Sequence, residues 1–199
     1  MSDDAIPAAT LIVMRDRPDG PPELLMVTRT RNMTFAGGAM VFPGGRIDEA
    51  DRALASDFES AGRVAAIRET LEETGLPVGF APLPPPGLQG SLHAGEPFAD
   101  LLGRHALSLD LDALVPFARW KPAFHQARRF DTLFFLARAP SGEWPLRPQA
   151  GECDSAEWLT AKAVLGRIAA GTASAIFPTV RNLERLSQFS SFAEAVTHA

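Results

Sequence analysis

The feature that most restricts the fold is a helical stretch, residues 59–74, set between apolar runs with the character of strands. Val64, Ile67 and Leu71 fall on one side of it at helical spacing. Gly75 follows as a C-terminal stop, and Pro77 prevents continuation. Ahead of it, residues 8–14 and 23–30 are β-branched-rich runs parted by the turn-forming Asp16-Arg17-Pro18-Asp19-Gly20-Pro21-Pro22, which predicts two neighbouring strands. A third short run, residues 39–42, is closed by Pro43-Gly44-Gly45 and predicts a strand entering a tight loop. Behind the helix, residues 114–120 and 130–137 predict further strands. The second is apolar almost throughout, as a strand buried on both faces would be. Residues 157–159 add another. Residues 160–170 are helical in composition, and helical stretches at 179–186 and 191–196 follow. The intervening residues 81–95, with Leu83-Pro84-Pro85-Pro86-Gly87, are expected to be an extended surface connection leading to a short helix over 97–105. Strands on both sides of a central helix, with helices later, predict an α/β protein: a mixed sheet sandwiched between helices.

Composition narrows the function. A chain of 199 residues, 46% apolar, fits one domain spanning 1–199. Its formal net charge of −5 supplies no diffuse basic field for a nucleic acid backbone, so any phosphate chemistry has to be local and metal-mediated. No apolar run approaches a membrane span, and no basic segment precedes the first apolar stretch. The single cysteine, Cys153, permits no intramolecular disulfide and is expected to be a small packing residue; together these features suit a cytoplasmic protein.

The chemistry concentrates on the helix. At ~100° per residue, Glu69, Glu72 and Glu73 share a face about opposite to Val64, Ile67 and Leu71. Like charges at i, i+4 cost a helix a few tenths of a kcal/mol, so Glu69 beside Glu73 asks for a cation. Arg68 can reach Glu72 one turn on. Such a cluster, taken alone, is most often a solvated face.

Its surroundings say otherwise. Gly44-Gly45 upstream and Arg68-Glu69-Thr70-Leu71-Glu72-Glu73-Thr74-Gly75-Leu76 resemble the Nudix box, the signature of the Nudix (MutT-like) hydrolases. Thr70 stands where the pattern has an aliphatic residue. Gly45 lies 23 positions before Arg68, nine more than in the pattern, so an insertion at about residues 50–60 is expected inside the box. Asp51, six after Gly45, and Glu59, nine before Arg68, both stand near the place of the box's first glutamate. The resemblance implies the Nudix fold, an α/β/α sandwich, and metal-dependent cleavage of a diphosphate linkage in a nucleoside diphosphate derivative. It implies Mg²⁺ or Mn²⁺ on Glu69, Glu72, Glu73 and a backbone carbonyl at Gly45, with Arg68, Glu69 and Glu72 in the catalytic apparatus.

Around the box, Glu152 in Gly151-Glu152-Cys153-Asp154 is the candidate for an additional carboxylate, as base or ligand, with Glu157 its rival. Arg29, Arg129, Phe42 and Gly44 are candidate substrate contacts, and Arg128 could equally clamp a phosphate. The stretch Arg31 to Asp48, the lengthened box and Arg129-Phe130-Asp131-Thr132 look like the peroxisomal coenzyme A diphosphatases and their bacterial relatives. Coenzyme A or its acyl forms are therefore favoured over NADH or ADP-ribose, although Thr34 stands where the stricter signature has arginine. A non-catalytic ligand-sensing module would be expected to have lost box acids, and all three remain here. The four histidines, His93, His105, His125 and His198, have no metal-ligand spacing. Trp120, Trp144 and Trp158 could stack on a nucleotide ring, though core packing is the commoner role. An inserted segment at about residues 82–115 is expected to shape the pocket or a homodimer contact.

Overall fold

The computed structural model describes residues 5–33, 35–122 and 129–199. Two long strands, β1 (Ile6–Arg15) and β2 (Glu23–Arg29), begin the chain and are followed by the short strands β3 (Met40–Val41) and β4 (Gly44–Arg46). Helices α1 (Glu49–Ala53) and α2 (Phe58–Thr74) come next, then β5 (Phe80–Ala81), α3 (Leu88–His93), α4 (Phe98–Arg104) and β6 (Ser108–Leu109). Strands β7 (Val115–Trp120), β8 (Phe130–Arg138) and β9 (Cys153–Thr160) complete the sheets, and α5 (Ala161–Ala169), α6 (Phe177–Leu186) and α7 (Phe192–Thr197) end the chain.

The expected mixed sheet is present. Strand β8 runs parallel to β1 along its full length, from Ile6 opposite Phe130 to Met14 opposite Arg138, while every other pairing in this sheet is antiparallel. Side chains alternate across these two central strands. Leu11, Val13, Phe135 and Ala137 pack with Val64, Ile67 and Leu71 of α2, whereas Ile12, Met14, Phe134 and Leu136 pack with Val164 of α5 and Leu183 of α6. Helices therefore cover both faces over the stretch Phe134 to Ala137, which is why β8 is apolar there, while Asp131, Thr132 and Arg138 lie toward its ends.

Strands β1 and β2 are joined only at Met14–Leu24 and Arg15–Glu23 and then diverge. Their outer edges are taken by β8 and β9, so the segment 40–46 fills the split from within, β3 pairing with β2 and β4 with β1. The expected tight loop at Gly44-Gly45 is thus a strand: Gly44 lies opposite Thr10 and Gly45 opposite Ala9. Only glycine allows the first of these approaches, since a Cβ on Gly44 would overlap the main chain of Ala9 and Thr10.

Two other expectations change. Residues 81–95 are not wholly extended, because Leu88 and Leu92, four apart, bury one face of α3 against the α2 side of the core. The strand expected at 157–159 reaches back to Cys153, held by seven register positions against β2. Helix α2 is bounded by Asp57, whose side chain accepts from the Ser60 amide at 2.8 Å, and by Gly75 in the left-handed conformation. Among the described residues no helix is long and apolar enough to cross a membrane.

Candidate active site

The split in the sheet is where acids of α2 reach an open cleft. A cleft of about 1150 Å³ opens there, lined by Ala8 and Thr10 of β1, Thr132 and Phe134 of β8, and Glu69 and Glu73 of α2. The strand residues are those whose side chains point away from α2, so the helix's acids reach the cleft through the gap that Gly44 and Gly45 leave. A Cβ on Gly45 would occupy the position of the Glu69 carboxylate. Backbone approach, rather than turn geometry, is what the second glycine supplies.

Glu73 is only 1% exposed, not on a solvated face as its helical position suggests. Its Oε2 accepts from the Gly44 amide at 3.0 Å, and its Oε1 lies 3.6 Å from Nη1 of Arg29. Burial, and after it the nearby Glu69 carboxylate, push the Glu73 carboxyl up to about 8, against the opposing pull of the Gly44 amide and Arg29. Burial likewise pushes Glu69 up to about 7, although Arg68 favours its charged form. Arg29 lines the cleft beside them, and its buried Nε has no hydrogen-bond partner among the described residues.

Arg68 organises the other side of the helix. Its Nη1 donates to Glu72 at 2.8 Å and to Glu69 at 3.0 Å. The contact with Glu72 is the one the helical spacing predicts, and it turns Glu72 to Arg68 rather than into the cleft lining. Two further donors, Nε and Nη2, each meet an Asp51 carboxylate oxygen at 2.9 Å. Asp51, in α1, is 1% exposed and also accepts from the Asp48 amide at 2.9 Å. Of the two acids near the box's first position, Asp51 therefore reaches Arg68, while Glu59 pairs with Arg63 at 2.9 Å. The spacing of six from Gly45 was the signal for Asp51; the insertion that follows α1 obscured it.

Glu152, just before β9, lines the cleft, whereas Glu157 points to α5 and pairs with Arg167 at 3.0 Å. Phe42, Gly44, Gly45 and Arg29 also line it. Arg129 sits at the start of β8, its carbonyl accepting from Ile6, and is not part of the lining; Arg128 and His125 lie outside the described residues. Cys153 is buried, and burial pushes its thiol up to about 12, so at neutral pH it is an inert thiol. His93 contacts the Glu72 carbonyl at 2.9 Å, a structural role. Trp120 lines the cleft, while Trp144 and Trp158 pack against the α2 side of the core. Phe35, Phe130 and Phe177 also line the cleft; Phe35 and Phe130 stand in the stretches that carry the subfamily resemblance but were not site candidates, and no sequence signal singled out Phe177.

Residues 5–179, which carry this sheet and the acids of the cleft, match the NUDIX domain family. The chain belongs to the Nudix hydrolase family. A Nudix hydrolase from Alicyclobacillus acidocaldarius, known from its crystal structure, is 31% identical and superposes with a TM-score of 0.87, covering 99% of this chain and 97% of that one. The Caenorhabditis elegans protein named "Putative nudix hydrolase 7" is 29% identical over 173 residues, 83% of this chain. This chain spans 56% of that relative's length. The Nudix domain of Shewanella oneidensis NrtR, solved with ADP ribose, is 13% identical with a TM-score of 0.56 over 94% of this chain and 89% of its own; it shares the fold.

Nudix hydrolases generally use divalent cations, and the residues here fit one. Glu69 and Glu73 are two carboxylates withdrawn from water and each held above the usual range, a hard oxygen donor set short of positive charge. Among the described residues no three His, Cys, Asp or Glu side chains already form a cage, so further donors would have to come from the main chain, water or substrate.

Proposed function

We propose that this Nudix protein hydrolyses the diphosphate linkage of a nucleoside diphosphate derivative, with coenzyme A or its acyl forms the first substrates to test and NADH or ADP-ribose the next. The observation that carries this reading is the placement of Glu69, Glu73 and Glu152 on one cleft, with Arg29 beside them.

Glu69 and Glu73 would hold Mg²⁺ or Mn²⁺, with the Gly45 carbonyl as a main-chain donor. A bound cation of this kind offsets the charge of a diphosphate and polarises its phosphorus. Glu72 adds charge from behind Arg68, and Arg68, tied to both acids, fixes the direction in which Glu69 points. Arg29, which lines the cleft, supports phosphate binding through its guanidinium. Glu152 accepts the proton of the attacking water as the new phosphorus–oxygen bond forms and the bridging oxygen departs with the other product. Its carboxylate is oriented by Gln149, which donates at 3.3 Å. Phe42 and Gly44 shape the wall against the substrate.

Incubating the protein with Mg²⁺ or Mn²⁺ and a panel of such diphosphates tests the reading. Release of a nucleoside monophosphate-type product supports it, and a panel left wholly intact with either ion overturns it.

A further inference from the structure

The cleft extends well beyond its acids. Trp120, the last residue of β7, and Phe177, the first of α6, both line it, and their rings meet at 5.6 Å with an interplanar angle of 88°. A perpendicular pair makes a corner: a third flat ring can stack on one face while its edge meets the other.

Both walls of the corner are fixed from behind. The Trp120 indole Nε1 faces Oδ1 of Asn182 at 3.5 Å. Asn182 is buried, and its Nδ2 has no partner among the described residues. Turning the amide over would set two donors against each other, so the contact with Trp120 selects the amide's orientation and the indole's tilt. On the other side, the chain entering α6 is tied across the split sheet, where the Met40 amide donates to the Ser174 carbonyl at 2.7 Å and Ala39 bridges Ser174. Phe177 is nonetheless 66% exposed, an aromatic ring left largely in water at the edge of an otherwise well-buried fold.

We infer that Trp120 and Phe177 form the subsite for the planar nucleobase of the substrate, with Asn182 as the residue that positions Trp120. The inference rests on the diphosphate reading of the cleft and adds what selects the substrate at its unreacting end. A stack on the base is made alike in the ground and transition states, so its loss raises KM and leaves kcat nearly unchanged.

The test uses Phe177→Ala, which removes an exposed ring without touching the core, and Trp120→Phe beside it. For any base-bearing diphosphate the protein cleaves, Phe177→Ala is expected to raise KM about tenfold with kcat within about twofold, in line with the loss of one base–aromatic stack. A second readout needs no turnover: in EDTA, AMP is expected to quench part of the tryptophan fluorescence, ribose 5-phosphate is not, and Trp120→Phe abolishes the quench. An unchanged KM in Phe177→Ala, or equal responses to AMP and ribose 5-phosphate, overturns the assignment. If no diphosphate is cleaved, the functional reading fails while the AMP titration still decides the subsite.

Discussion

The Asp51 carboxylate closes on the Arg68 guanidinium through two parallel hydrogen bonds of 2.9 Å, linking helix α1 to the helix that carries the acids. The fork is nearly dry, and Arg68 holds Glu69 and Glu72 with its remaining Nη1. Asp51→Asn removes the buried charge of this pair and leaves the part-buried Arg68 half-paired, which costs about 3 kcal/mol by the usual measure of broken buried pairs. Chemical denaturation of the variant checks the magnitude. A double-mutant cycle with Arg68→Met should show coupling above roughly 1 kcal/mol, whereas independent effects would mean that the two residues do not act as a pair.

Glycine at position 45 is predicted to be irreplaceable for activity. A Cβ would displace the Glu69 carboxylate, and a shift of about 1 Å at a reacting group costs on the order of a hundredfold in rate. Gly45→Ala should keep the wild-type circular dichroism spectrum while kcat falls by roughly that factor. Unchanged turnover would show that Glu69 has no fixed place.

The raised carboxyls fix the sign of the pH dependence. Glu69 near 7 and Glu73 near 8 bind protons in the folded protein that they release in the unfolded chain above about 4.5, so the folded state holds the greater number of protons between these values. Stability in EDTA should therefore fall as pH rises from 5 through 8. A divalent cation binds the deprotonated pair, so the rise in Tm on adding Mn²⁺ should grow over the same interval. Thermal melts at pH 5.5, 7 and 8.5, with and without Mn²⁺, provide the comparison; a metal response that shrinks with pH would contradict it.

The two acids proposed for the extra carboxylate, Glu152 first and Glu157 as its rival, have different neighbours. Glu152 lines the cleft, and Glu152→Gln is expected to lower kcat by at least about a hundredfold, the usual worth of a general base. Glu157 is engaged with Arg167 on the α5 side, and Glu157→Gln should leave kcat within about twofold. Steady-state kinetics of the pair would overturn the assignment if the two effects were exchanged.

The long elements were legible because period and punctuation agreed: β8 by its unbroken apolar run, α2 by Val64, Ile67 and Leu71 with Gly75 behind them. Gly44-Gly45 read as a loop because glycine usually marks one, whereas here it lets a strand lie against β1 and a carboxylate lie against the strand. The burial of Glu73 was illegible for a related reason. Helical spacing gives a face, but not what covers it, and the cover comes from β4 far away in sequence. Helix α3 was hidden by the prolines before it, although Leu88 and Leu92 already stood one turn apart. The aromatic corner joins the end of β7 to the start of α6, a tertiary meeting with no local signature.

Kinetics and melts of Glu73→Gln test the central claim most directly. The substitution keeps the volume and an oxygen able to accept from the Gly44 amide, yet removes the buried charge that the cation would need. Assayed against a diphosphate that the wild-type protein cleaves, it is predicted to lose about a thousandfold or more in kcat, in the range seen when electrostatic groups at a reacting centre are removed. In EDTA at pH 8 it should melt at or above the wild-type temperature. Near-normal turnover, or a collapse of thermal stability, would show that Glu73 serves the fold rather than the chemistry.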